Sequence, residues 1–117
     1  MKRDMELIRK IVLNCQSSEP NANVEGYDSW TVTYHKYLLV QAGLAEGPVL
    51  EASLSSTKPF AAVHLHHLTW EGHEFADVVA DQSNWKTIKQ YINDAGKVLN
   101  IETIKFAAKQ LFEFVVT

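Results

Sequence analysis

Cysteine is almost missing from this chain. Cys15 is the one cysteine among 117 residues, so an intramolecular disulfide and a cysteine-rich zinc cluster are both excluded, and a reduced thiol on an apolar helical stripe is expected. Positive charge is also scarce. Eleven Lys and Arg stand against fourteen Asp and Glu, a formal net charge of −3, which repels a polyanion at long range unless the bases gather on one face. There is no long apolar run. The opening MKRDMELIRKIVLN interleaves charges with its apolar residues and reads as neither a signal peptide nor a membrane span. A glycine-rich phosphate cradle, a Gly-x-Ser-x-Gly elbow and a His-Glu-x-x-His zinc helix are all lacking, and with them the common sequence marks of an enzyme. The expectation is a non-enzymatic cytoplasmic protein with no cofactor and no membrane association.

What is present is an ordinary globular composition, 46% hydrophobic and 21% charged. A single domain of this length buries roughly two-thirds of its unfolded surface, enough for a core without staples. Met5, Leu7, Ile8, Ile11, Val12 and Cys15 recur at steps of three and four and predict a helix over 3–15, with Asp4 at its positive end. SSEPNANVEGYDS then reads as a loop. Asp28 or Ser29 caps a second helix, in which Val32, His35, Leu38, Leu39 and Ala42 form the inward face and Gly43 marks the end. Thr31, Thr33, Tyr34, Lys36, Tyr37 and Gln41 lie on its other faces, where they are expected to meet solvent or a partner.

PVLEASL and AAVHLHHLT alternate with period two and predict an antiparallel hairpin that turns through SSTKPF. Thr69 is placed to cap a third helix, WEGHEFADVVAD, with Trp70, Phe75, Val78 and Val79 inward and Gly72 weakening the first turn. A fourth helix over 83–95 carries Trp85, Ile88, Tyr91 and Ile92 before Gly96. Asn100 caps IETIKFAAKQLFEFVV, where Ile101, Ile104, Ala108, Leu111, Phe112 and Val115 make the apolar stripe. Phe106 and Phe114 fall off that stripe, and either pack within the chain or form a homodimer through the C-terminal helix. The fold class is therefore α+β and mostly helical, as one domain. A winged-helix-like unit over 1–82 (helix, loop, helix, β-hairpin wing) is followed by a C-terminal helical pair over 83–117.

Taken in order, MKRDMELIRKIVL, YHKYLLVQAGLAEG and LTWEGHEFADVVADQSNWKTIK resemble a family of uncharacterised bacterial and phage proteins, domain of unknown function 2513. The three blocks span nearly the whole chain. That resemblance implies a fold and a bacterial or phage setting, and it brings no functional residues with it. The order of helix, loop, helix and hairpin itself resembles the winged-helix module, although the loop ahead of Asp28 leaves little room for the scaffold helix that props a DNA-reading helix.

A binding surface is expected on the second helix and the hairpin tip, from Thr33, Tyr34, Lys36, Tyr37, Gln41 and Lys58, with DNA or a protein as partner. Charge opposes the first of these. Lys36 is the one base between residues 15 and 57, against Glu19, Glu25, Asp28, Glu46 and Glu51, and a DNA reader needs cations to neutralise phosphates. His64 and His66 share one face of their strand and His67 the other, while His73 and Asp77 lie four apart on a helix. None of these groupings supplies the three or four convergent ligands of a zinc site.

Overall fold

The computed structural model describes residues 2–112. These form five α-helices and four short strands: α1 (Met5–Gln16), α2 (Ser29–Gln41), β1 (Ala45–Glu46), β2 (Val49–Leu50), β3 (Ala62–Val63), β4 (His67–Leu68), α3 (Trp70–Val79), α4 (Gln82–Asp94) and α5 (Ile101–Phe112). The chain is thus α+β and mostly helical, as the periodicities imply. The end of the predicted last helix, including Phe114 and Val115, lies outside the described residues. Two compact units are present, one through His73 and one from Glu74.

In the first unit, the Asp4 carboxylate accepts bonds from the Glu6 and Leu7 amides at 3.0 and 3.2 Å and so satisfies the open start of α1. Met5, Leu7, Ile8, Ile11 and Val12 are buried, and α1 packs against α2 and β4. Asp28 caps α2 by accepting from the Thr31 amide at 2.7 Å. The far end of α2 closes with the Leu44 amide donating to the Leu39 carbonyl at 3.0 Å, Gly43 between them standing at φ +75°.

The buried side of α2 differs from the expected one. It consists of Val32, His35, Lys36 and Leu39, while Leu38 is half-buried and Ala42 exposed. The reason is that α2 is covered from two directions, by α1 on one flank and by β1 and β3 on another. His35 serves the first, accepting from the Asp4 amide through Nε2 at 2.8 Å and donating from Nδ1 to the Thr31 carbonyl at 2.8 Å. Lys36 serves the second.

The hairpin is antiparallel, as predicted, but begins earlier and is interrupted. Ala45 faces Leu68 and Glu46 faces His67, whereas Val49 faces Val63 and Leu50 faces Ala62. Two residues on the first arm therefore stand opposite three on the second, His64, Leu65 and His66, which is a β-bulge. Gly47 sits at this point, where a Cβ would lie 1.9 Å from the His64 carbonyl oxygen. The bulge leaves the Leu65 backbone without strand partners, and a side chain supplies them. Asn21, from the loop after α1, donates Nδ2 to the Leu65 carbonyl at 2.8 Å and accepts the Leu65 amide on Oδ1 at 2.9 Å. The predicted continuation of the first arm through EASL does not form, and residues 51–60 carry no strand. Pro59 has no amide to extend the ladder, and Leu54 is fully exposed.

Thr69 occupies the expected cap of α3. Its hydroxyl accepts from the Gly72 amide at 3.1 Å and donates to the Gly43 carbonyl at 2.6 Å. Gly72 is there for space: a Cβ on it would lie 1.9 Å from the Leu44 carbonyl oxygen. Trp70 departs from expectation, being 75% exposed. At 100° per residue it lies opposite the line of Gly72, Ala76 and Val79 that is buried.

In the second unit, Phe75, Ala76, Val78 and Val79 are buried, as are Trp85, Ile88 and Ile92 of α4 and Ile104, Ala107 and Ala108 of α5. The last two helices pack on each other. Asp81 caps α4 through the Asn84 amide at 2.9 Å. Asn100 caps α5 as its sequence position implies, its Oδ1 accepting the Thr103 amide at 2.9 Å while its own amide donates to Thr103 Oγ1 at 3.0 Å. Among the described residues no helix is long and apolar enough to cross a membrane.

Candidate functional site

Trp30, Tyr34 and Tyr37 follow one another at steps of four and three, so α2 places them along one side. Phe60, where the hairpin loop returns to β3, inserts among them. Its ring centroid is 4.6 Å from Tyr37, 5.0 Å from Trp30 and 6.5 Å from Tyr34, the last pair nearly parallel at 15°. Phe60 is buried and the three α2 rings are half-buried, so a ridge of aromatic edges meets solvent over a fixed base. Lys58 Nζ lies 4.4 Å from the Trp30 ring centroid, within cation–π range. Gln41 Nε2 donates to the Tyr37 hydroxyl at 2.7 Å, which orients that ring. At the start of the ridge, the Thr31 backbone amide holds the Asp28 carboxyl below its ordinary pKa, with the Lys58 charge adding to the effect.

Four of the six residues expected at the contact surface, Tyr34, Tyr37, Gln41 and Lys58, are therefore gathered in one place. Trp30 and Phe60 join them, Phe60 from the end of the predicted SSTKPF turn and Trp30 by its helical spacing to Tyr34 and Tyr37.

Thr33 and Lys36 lie on a different side of α2. Lys36 corrects the expectation outright, for it is only 9% exposed. Its ammonium donates to Asn21 Oδ1 at 3.1 Å and reaches the Val63 carbonyl at 3.5 Å. Burial pushes the Lys36 pKa down, opposed by Cys15, and burial pushes the Cys15 thiol up, opposed by Lys36. Beside Lys36 is a cavity of about 150 Å³ whose walls include Asn23, Ser29 and Thr33.

All three histidines of HLHH are exposed, His67 included, because the bulge resets which residues point outward. The His64 and His66 rings are 5.5 Å apart, and His67 Nε2 lies 3.6 Å from Glu46 Oε2. Among the described residues no three His, Cys, Asp or Glu side chains converge as metal ligands. In the second unit, α4 and α5 border a cavity of about 320 Å³ lined by Tyr91, Ile92 and Phe106 among others. Phe106 is 59% exposed, and its expected companion Phe114 lies outside the described residues.

Comparison with known proteins adds family membership. The family model described as Hypothetical protein (DUF2513) matches residues 2–98. An uncharacterized protein of Haemophilus influenzae is 35% identical over 117 residues, which cover 95% of this chain and 95% of the relative. No solved structure matches. The family match over residues 2–98 takes in α1 through α4 together with the aromatic ridge, and the chain belongs to the DUF2513 family.

Proposed function

We propose that this protein is a non-enzymatic interaction module that docks a protein partner on the aromatic ridge of α2. The observation that carries this reading is the joining of Trp30, Tyr34 and Tyr37 to Phe60, with Lys58 against Trp30. Rings fixed from beneath lose little conformational freedom when a partner covers them, which is why aromatic residues dominate the energetics of protein interfaces. A photo-crosslinking residue at position 34, used in the cells that make the protein, tests the reading. A discrete crosslinked protein, lost when Trp30 and Tyr37 are both changed to alanine, is the expected result. Crosslinks that ignore those changes refute it.

The order of helix, loop, helix and hairpin keeps a winged-helix DNA reader as the alternative. The burial of Lys36 weighs against it, since residues 15–57 then offer no exposed Lys or Arg, beside exposed Glu25, Asp28 and Glu51, and Lys58 is the next base along the chain. Duplex DNA titrated at rising salt separates the two. Binding that weakens steeply with salt and is lost in Lys58→Ala favours DNA, and absent binding at low ionic strength removes it. Self-association through α5 belongs to the same proposal, supported by the exposure of Phe106 beside an apolar cavity. Light scattering on Phe106→Glu tests it, with a monomer expected where the parent is a dimer.

A further inference from the structure

We propose that the cavity beside Lys36 is a binding site for a small monocarboxylate, held by the Lys36 ammonium with the Ser29 and Thr33 hydroxyls. It is separate from the aromatic ridge and does not depend on the docking of a partner there. The cavity measures about 150 Å³, close to the size that admits one benzene-sized molecule in other proteins. Acetate or pyruvate fits.

The chemistry of the walls gives the class. A buried ammonium is costly unless an opposite charge and full hydrogen bonding compensate it. Lys36 is more than nine-tenths buried, yet both of its hydrogen bonds run to neutral oxygens, and the contact to Val63 is at the long limit of 3.5 Å. Among the described residues the titratable group acting on it is the Cys15 thiol, which burial keeps protonated. No Asp or Glu lines the cavity, although the chain carries fourteen of them. Besides Lys36 and Asn21, the polar side chains in the walls are Asn23, Tyr27, Ser29 and Thr33, all of which can donate hydrogen bonds. One positive charge surrounded by neutral donors matches one negative charge. A dianion would bring a second charge without a partner.

The test is thermal unfolding and calorimetric titration of the whole protein with sodium acetate and sodium pyruvate, against sodium chloride at equal ionic strength and against neutral acetamide. Saturable stabilisation by a carboxylate, absent with acetamide and chloride, is expected, and Lys36→Met weakens it by roughly tenfold or more because a charge-assisted bond is lost. Thr33→Val, which leaves the ammonium in place, gives a smaller loss. Should Lys36→Met fail to fold, the amide resonances of Ser29 and Thr33 in the unaltered protein provide the reading, shifting with acetate and not with acetamide. Equal effects of acetate, acetamide and chloride overturn the proposal, as does a Lys36→Met protein that still responds to acetate.

Discussion

Asn21→Ala removes the side chain that stands in for a strand partner at the hairpin bulge, and its cost can be built from the contacts it breaks. Two bonds to Leu65 are lost, at 2.8 and 2.9 Å, together with the 3.1 Å bond from Lys36. Leu65 is 1% exposed, so water does not reach its amide and carbonyl easily. Each backbone group left unpaired in such a place costs about 1–3 kcal/mol. The Lys36 ammonium keeps its reach to the Val63 carbonyl, which puts its loss at the low end of that range. The sum is about 3–7 kcal/mol, a large part of the whole stability of a domain this size. In urea, where small proteins lose about 1–3 kcal/mol per molar denaturant, the midpoint falls by about 2 M. The assay is equilibrium unfolding followed by far-ultraviolet circular dichroism, with Asn23→Ala as the control from the same loop, where the side chain is exposed. That control stays within about 0.5 kcal/mol of the parent. A loss below about 1 kcal/mol for Asn21→Ala would show that the hairpin holds its bulge unaided, and would refute the reasoning.

Other outcomes follow from the same contacts. Burial lowers the folded-state pKa of Lys36, so between that value and the ordinary lysine value the unfolded chain holds more protons, and stability rises with pH across that window. Lys36→Met abolishes the rise, which denaturation midpoints measured over alkaline pH detect. The same variant removes the cation that opposes the upward shift of the Cys15 thiol, so alkylation of Cys15 by iodoacetamide near about pH 8 slows, as read by mass spectrometry. Gly72→Ala would raise stability by about 1 kcal/mol in an open helix, but here it drives a Cβ to 1.9 Å from the Leu44 carbonyl oxygen and costs about 3 kcal/mol, visible as a lowered melting temperature. His35→Phe keeps the buried ring and deprives the Asp4 amide of its acceptor, a loss of about 1–3 kcal/mol in the same assay.

Much of the fold was legible because its elements are set by local rules. Asn100 and the Asp28–Ser29 pair announce their helices by capping chemistry that acts within three residues, with Asp28 the one used, and Asp4, expected for its charge at the positive end of α1, caps that helix as well. The side of α2 that would be buried was not legible, because a period of 3.6 locates one covered flank and α2 has two. Lys36 is expected at solvent because it falls off the apolar stripe of Val32, His35, Leu38, Leu39 and Ala42. Its burial depends on Asn21, fifteen residues earlier, and on the Val63 carbonyl, twenty-seven later, neither of which any local pattern points to. The ridge was half legible. Tyr34 and Tyr37 stood out by helical position, whereas Phe60 reaches them only because the hairpin folds back.

The surplus residue in the second hairpin arm decides which way that arm faces. Val63 and Leu65 are buried at a step of two and Leu68 follows at a step of three, so the doubled histidine of HLHHL is where inside and outside change parity. Deleting His66 would leave two residues opposite two and bring Val63, Leu65 and Leu68 to successive steps of two, which a regular ladder without a bulge holds on one face. The extra residue is consequently what sets the Leu65 backbone apart from the ladder and gives Asn21 its two partners there.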